Sequence, residues 1–247
     1  MTTVFLCGGK GKRLYPLTRD IPKPMIPIAG KPLVIISMEK LIKCGQKNFI
    51  FCLGYLKKYF LDYFYKRLSC VELSDEDILF KGVWSDQLIS VRCYLGKEDW
   101  QSAERLRQIS KKSVGLSGSI ILCYGDLYFE DTIQEVLMNF ERISLPMMMS
   151  ITHPRSQYGI VELSNSNQVI KFKEKPIVYT SWINAGIYFF KKAYFFKMLE
   201  NPGESFEKNI LPKIIKNKKV FKLNKYWKSM ENMKDMEEIV DQYKNDK

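Results

Sequence analysis

Residues 6–32 run L-C-G-G-K-G-K-R-L-Y-P-L-T-R-D-I-P-K-P-M-I-P-I-A-G-K-P, and the reading of the whole chain turns on them. The apolar residues Val4, Phe5, Leu6 and Cys7 stop at Gly8 and Gly9, the pattern of a short buried strand that ends in a turn. Beyond it, glycine and base alternate through Gly9, Lys10, Gly11, Lys12 and Arg13. Glycine lets a backbone approach a ligand closely, so that its N–H groups can point at phosphate oxygens. Lys10, Lys12, Arg13, Arg19 and Lys23 add the charge that a polyphosphate requires. Pro22 and Pro24 restrict the backbone on either side of Lys23, which puts that ammonium on a stiff support. Strand, glycine loop and clustered bases together describe a nucleotide-phosphate site. On the glycines alone, a tight solvated turn rich in lysine fits equally well.

Two better-known loops do not fit. The dinucleotide fingerprint G-x-G-x-x-G, started at Gly9, needs a glycine where Leu14 stands. A P-loop needs G-K-[ST], but Gly11-Lys12 is followed by Arg13 and Gly30-Lys31 by Pro32. The stretch instead resembles the signature of the sugar-phosphate nucleotidyltransferases, G-G-x-G-x-R-L-x-P-L-T followed by P-K-P-M and G-K-P. Gly8, Gly9, Gly11, Arg13, Leu14, Pro16, Leu17 and Thr18 match, as do Pro22 to Met25 and Gly30 to Pro32. Lys12 stands where that family usually carries a small Thr or Ser. The resemblance implies a nucleotide site built from Leu6, Gly8, Gly9, Gly11, Lys12, Arg13 and Lys23, with Arg13 and Lys23 as its catalytic cations.

Outward from this stretch, strands and helices alternate. Val34, Ile35, Met38, Leu41 and Ile42 repeat at helical spacing up to Gly45. Asn48 to Leu53 reads as a second buried strand, and Phe60, Tyr63, Phe64 and Leu68 mark the core face of a helix. Residues 70–90 are less regular; their acidic cluster Asp75, Glu76, Asp77 lacks the spaced ligands of a calcium loop and reads as a solvated excursion. Leu88 to Leu95 is a third strand and Ala103 to Ile109 a helix. Ser119 to Tyr124 is a fourth strand, ending in Gly125-Asp126, before a helix carrying Ile133, Val136, Leu137 and Phe140.

This order predicts an α/β fold, a three-layer Rossmann-like arrangement around a mainly parallel sheet. Ligands in such sheets bind at the carboxyl ends of the strands, where both Gly8-Gly9 and Gly125-Asp126 fall. From Pro146 the pattern shifts to short pieces: 147–152, 159–163, 169–172 and 186–190. They suggest a small antiparallel elaboration on the acceptor side. Helices are expected over 191–199 and 206–215, the second broken at Pro212, and a last helix carries Met233, Met236, Val240 and Tyr243 on one face. With no linker and no repeat, 1–247 reads as a single domain, about 1–145 the nucleotide-binding half and about 146–247 the acceptor-binding half.

Shorter matches extend the resemblance. Family members carry a G-D whose aspartate binds Mg²⁺, which implies Asp126 as a metal ligand and Gly125 as a nucleotide contact. On the residues alone, Asp126 reads equally as a start signal for a helix near Asp131. Lys171 to Pro176, K-F-K-E-K-P, resembles F-x-E-K-P, implying Glu174 for the acceptor hydroxyls and Lys175 for its phosphate. Tyr158-Gly159 and Ile183 to Gly186 resemble the acceptor elements Y-G and N-x-G, implying Gly159 and Asn184. Trp227 to Asp235, W-K-S-M-E-N-M-K-D, resembles W-Q-P-M-D-T-L-R-D of the glucose-1-phosphate cytidylyltransferases. It implies Glu231 as the second metal ligand, while Asp235 reads as a solvated helix carboxylate. Gln101-Ser102-Ala103-Glu104 occupies the stretch that lies close to the nucleobase in the family, implying Ala103 as a further nucleotide contact.

Composition sets outer bounds. Lys plus Arg exceed Asp plus Glu by 39 to 27 in the 247 residues, a net charge of +12. The bases are scattered without a basic helical stripe, so no nucleic-acid partner is expected, and Lys216 to Lys219 reads as a solvated turn. The six cysteines lack metal or redox spacing, and four lie in strand-like runs, which predicts buried thiols in a cytoplasmic, reducing setting. No apolar run is long enough for a membrane span, and no signal peptide is evident. His153 is the only histidine, so histidine triads and histidine metal sites are ruled out. A phosphate monoester, with a second pKa of about 6, is already largely dianionic at pH 7 and needs no general base.

The implied reaction is Mg²⁺-dependent transfer of a nucleoside monophosphate, CMP from CTP foremost, onto a sugar 1-phosphate with release of pyrophosphate. A non-sugar phosphate acceptor such as phosphocholine or a phosphoramidate stays open, as do a catalytically silent regulatory subunit and assembly with identical chains.

Overall fold

The computed structural model describes residues 1–112, 118–130 and 133–246. Strand β1 (Thr2–Cys7) is buried along almost its whole length and leads into three short 3-10 turns at 12–14, 17–19 and 23–25. A small pair, β2 (Pro27–Ile28) and β3 (Lys31–Pro32), precedes helix α1 (Leu33–Lys43). That helix stops where expected, because Gly45 takes a φ of +83° that a side chain would resist. β4 (Asn48–Leu53), α2 (Lys57–Tyr65), β5 (Ser69–Leu73), β6 (Asp77–Trp84), β7 (Gln87–Leu95) and α3 (Ser102–Lys112) follow. Next come β8 (Ile120–Tyr124), β9 (Leu127–Phe129), α4 (Gln134–Arg142), β10 (Met147–Thr152), β11 (Ile160–Leu163) and β12 (Val169–Lys173). The chain closes with β13 (Ile183–Phe190), α5 (Lys192–Leu199), α6 (Leu211–Ile214), β14 (Lys219–Lys222), β15 (Trp227–Ser229) and α7 (Met233–Asn245).

Nine strands form one sheet in the order β14-β10-β13-β8-β1-β4-β7-β6-β5. β8, β1, β4 and β7 are parallel neighbours at its centre, and only β6 and β13 run against the rest. Side chains alternate across this sheet, so its two faces gather different helices. Phe5, Phe49 and Phe51 pack with α1, α2 and α4 on one side. Val4, Ile50 and Leu122 pack with α3, α5 and the segment around Phe206 on the other. The result is the expected three-layer α/β fold. Cys7, Cys52, Cys93 and Cys123 are buried free thiols within these layers, Cys44 is half-buried and Cys70 exposed.

Two expectations need correction. Residues 70–90 are not irregular but form an antiparallel sheet edge, and Asp77 is buried rather than solvated. The reason is Arg92 on β7, whose guanidinium donates to Asp77 at 2.8 Å and to Glu72 at 2.7 Å. A buried guanidinium demands such partners. Pro212 does not break a helix: a π turn at 206–210 runs into α6, where the proline occupies the first turn and its missing N–H costs nothing. The small antiparallel elaboration is present: β10, β13 and β14 extend the main sheet, while β11–β12 and β9–β15 form two-stranded antiparallel sheets of their own. The helix start expected near Asp131 lies outside the described residues. Among the described residues, no helix is long and apolar enough to cross a membrane.

Candidate active site

The carboxyl ends of β1 and β8 open on a cleft of roughly 670 Å³. Leu6, Gly8, Gly9, Gly11, Lys12 and Arg13 border it from the loop after β1. Gly11 carries a φ of +61°, and a β-carbon there would lie 3.0 Å from that of Lys23 and 3.1 Å from a Thr18 carbon. The Thr18 hydroxyl donates to the Gly11 carbonyl at 2.9 Å. The absent side chain thus lets the loop fold onto the Pro22–Pro24 segment and bring Lys23 to the cleft.

Two carboxylates meet that lysine. β9 and β15 pair antiparallel, with Ser229 opposite Leu127, and the Met230 N–H donates to the Asp126 carbonyl at 3.0 Å. This register sets Glu231 beside Asp126. The Trp227 indole N–H, bonded to the Ala185 carbonyl at 2.9 Å, anchors β15 to the main sheet. The Lys23 ammonium lies 2.5 Å from Asp126 Oδ2 and 3.5 Å from Glu231 Oε2, and Arg13 Nη2 pairs with the same Glu231 oxygen. The Ser229 hydroxyl donates to Glu231 Oε1 at 3.1 Å.

Asp235, read from sequence as solvated, is buried. Its Oδ2 accepts from the Glu231 and Asn232 N–H groups at 2.9 and 3.1 Å, closing a capping box at the start of α7. Its other oxygen is 2.8 Å from Lys228. Burial alone would lower the Lys228 pKa, but hydrogen bonds to Asp235 and Glu238 outweigh it and raise the value. Asp235 therefore holds the backbone from which Glu231 projects.

Asp126 and Glu231 direct oxygens at one cation, the Lys23 ammonium, and are the pair of carboxylates at the cleft that could hold a hard metal ion. Among the described residues no group of three or more His, Cys, Asp or Glu gathers into a metal cluster. Two carboxylates suit Mg²⁺, which commonly takes one or two of them together with substrate phosphates.

Other expected contacts lie elsewhere. Ala103 is fully buried in the core under α3, its N–H bonded to the Glu204 carbonyl at 2.9 Å, and it does not border the cleft. Its neighbours Gln101 and Ser102 do. Gly125 lies behind the loop, its N–H bonded to the Leu6 carbonyl at 3.1 Å. Gly159, Glu174, Lys175 and Asn184 are not among the cleft-lining residues. Glu174 and Lys175 pair at 3.4 Å after β12, and a β-carbon on Gly159 would lie 3.0 Å from Glu174 Oε2. Asn184 donates to the Tyr188 hydroxyl at 2.5 Å, which lies 2.9 Å from that of Tyr124 at the cleft wall.

Sequence reasoning gave no site role to Tyr124, Glu207 or Arg105, all at the cleft. Glu207 Oε2 accepts from the Ser102 and Ser205 hydroxyls at 2.7 and 2.9 Å. Tyr124 held the one available signal, as the last residue of a strand directly before Gly125-Asp126. His153 stacks on Trp182 with ring centroids 3.6 Å apart.

The family model described as nucleotidyl transferase matches residues 2–246. The chain belongs to the nucleotidyl transferase family. Among its relatives, the bifunctional protein GlmU of Methanococcus maripaludis strain C7 is 32% identical over 237 residues, 92% of this chain and 50% of that protein. The chain thus spans about half the length of the GlmU relatives it matches. The D-glycero-alpha-D-manno-heptose 1-phosphate guanylyltransferase of Campylobacter jejuni is 29% identical over 195 residues, 79% of this chain and 78% of that protein. HddC from Yersinia pseudotuberculosis shares the fold of this chain, with a TM-score of 0.70 at 23% identity over 98% of this chain and 99% of that one.

Proposed function

We propose that this nucleotidyl transferase moves a nucleoside monophosphate from a triphosphate to a sugar 1-phosphate and releases pyrophosphate. The observation that carries this reading is the convergence of Arg13, Lys23, Asp126 and Glu231 at the carboxyl end of the sheet, beside a glycine loop. An oxygen of the acceptor phosphate forms a bond to the α-phosphorus as the bond to the pyrophosphate oxygen breaks. The acceptor arrives ionised, so the protein's task is to hold two repelling anions in line and to neutralise the leaving group.

Arg13 and Lys23 turn from the carboxylates to the triphosphate as it enters. Asp126 and Glu231 would hold Mg²⁺, which would supply positive charge to offset that of the phosphates when bound. Lys175 and Glu174 reach the acceptor from the β12 end, and Asn184, fixed through Tyr188, closes its far side.

The acceptor reading draws support from the heptose 1-phosphate relative. For the donor, CTP is supported by the likeness of Trp227–Asp235 to cytidylyltransferases. A second reading, GTP, is favoured by the same guanylyltransferase relative. Pyrophosphate release, measured with Mg²⁺ and each of the four common triphosphates against a panel of sugar 1-phosphates and non-sugar phosphates, decides both. Absence of release with every pair would overturn the proposal.

A further inference from the structure

Three adjacent parallel strands are each followed by glycine: β1 by Gly8, β4 by Gly54 and β7 by Gly96. All three glycines crowd the same side chain. A β-carbon on Gly8 would lie 2.1 Å from Cζ of Arg105, one on Gly54 2.2 Å from its Nη1, and one on Gly96 2.9 Å from that nitrogen. The glycines together leave a notch at the strand ends, and the guanidinium fills it. Arg105 stands near the start of α3, anchored by the buried Ala103 and Leu106.

The side chain does more than pack. Nη1 donates to the Leu53 carbonyl at 2.7 Å, and Nη2 donates to the carbonyls of Gly8 and Glu98 at 3.1 and 3.2 Å. One planar group thereby ties β1 and β4 to the loop after β7. The Gly8 carbonyl, which also accepts from the Tyr55 N–H at 3.3 Å, is the point where the Gly8–Arg13 loop leaves the sheet. Arg105 is buried, borders the cleft, and has no carboxylate partner among the described residues. Its three acceptors are neutral carbonyls, and the carboxylates of Asp99 and Glu104 act on its charge only from beyond ion-pair distance.

We propose that Arg105 is the positioning residue for the nucleotide: its fork holds the root of the glycine loop ready, and its buried guanidinium forms the cationic floor of the cleft. This rests on the nucleotidyl-transfer reading above. A loop held in its bound shape avoids the ordering cost of binding, and a desolvated cation attracts an anion more strongly than an exposed one. A lysine would keep the charge but, as a single ammonium without a planar fork, could not span three carbonyls.

The test compares Arg105→Lys, Arg105→Met and Gly54→Ala with wild type. Calorimetric affinity for CTP and GTP is read alongside steady-state constants, with melting curves to confirm folding. Gly54 does not border the cleft, and the three atoms nearest its added methyl would all belong to the guanidinium, at 2.2, 2.4 and 2.6 Å. Gly54→Ala therefore displaces the fork without altering a residue that borders the cleft. All three variants are expected to bind triphosphate about tenfold or more weakly and to raise its KM to match, while kcat and the acceptor KM stay within about threefold. Because Arg105→Met leaves no fork to displace, adding Gly54→Ala to it changes nothing further. If folded Arg105→Lys and Gly54→Ala bind triphosphate as wild type does, Arg105 is only a packing post and the proposal falls. If wild type itself binds neither triphosphate, the nucleotidyl-transfer reading falls first and takes this one with it.

Discussion

The Nζ of Lys23 lies 2.5 Å from Oδ2 of Asp126, joining the proline-flanked support after β1 to the turn after β8. Both side chains are largely withdrawn from water, at 14% and 19% exposure. Either charge, removed alone, leaves the other facing Glu231 in a shielded cleft. On the proposed function the pair is a resting contact that substrate displaces, so each partner is expected to matter more for turnover than for folding. Lys23→Ala and Asp126→Ala should each lower turnover by roughly 10²–10³, or about 2–4 kcal/mol of transition-state stabilisation, with an unchanged circular dichroism spectrum. Pyrophosphate release at near-normal rates in either variant would contradict the assigned roles.

Asp235 links helix stability to site geometry. Asp235→Ala removes a cap worth about 0.5–2 kcal/mol and strips the Glu231 N–H of its acceptor. For a domain of this size the melting temperature should fall by roughly 2–4 °C per kcal/mol lost. Turnover should fall as well, because the backbone carrying Glu231 is freed. Asp235→Asn keeps an acceptor oxygen and should restore most of the turnover but not the ion pair with Lys228. Equal turnover in the two variants would show that Glu231 needs no such support.

What the sequence disclosed and what it concealed follow one physical line. The glycine loop, the stiff Lys23 support and the strands up to Gly125 were legible because each rests on neighbours within a few residues. The meeting of Asp126 with Glu231 depends on the β9–β15 ladder, a pairing between distant segments, and only the family resemblance suggested it. Ala103 was misplaced because a motif gives an order of residues but not which face of α3 each occupies. Asp77 looked solvated until Arg92 arrived from another strand. Arg105 was illegible for the same reason, since its notch is made by glycines at the ends of three strands.

The buried thiols make a pH prediction. Burial pushes the Cys52 thiol from 9.0 up to about 12 and raises Cys7, Cys93 and Cys123 as well. Below pH 9 both folded and unfolded chains keep these protons, so the full stability is present. Above it the unfolded chain loses them and the folded one does not, so each thiol removes about 1.4 kcal/mol per pH unit until its folded value is reached. The urea midpoint should therefore fall between pH 9 and 12, and Cys52→Ala should make that fall shallower. At pH 8 an alkylating reagent should reach exposed Cys70 and spare these four until the chain unfolds.

Gly125 offers a sharper test of how tightly the first and fourth central strands set the site. Its φ lies outside the left-handed region, so alanine is acceptable to the backbone there. Space is what alanine lacks: its β-carbon would lie 2.5 Å from Cys7 Sγ and 3.1 Å from both the Leu6 carbonyl and a Pro24 ring carbon. Overpacking of this kind costs about 1–3 kcal/mol. The strain falls between Pro24, next to Lys23, and Asp126, so it should part the cation from its carboxylate. Gly125→Ala is expected to lose turnover beyond what its lowered stability explains. Adding Cys7→Ala removes the closest obstructing atom, and the double variant should regain both stability and turnover relative to Gly125→Ala alone. Strictly additive losses in urea denaturation and pyrophosphate release would mean that the sulfur is not what the new methyl strikes.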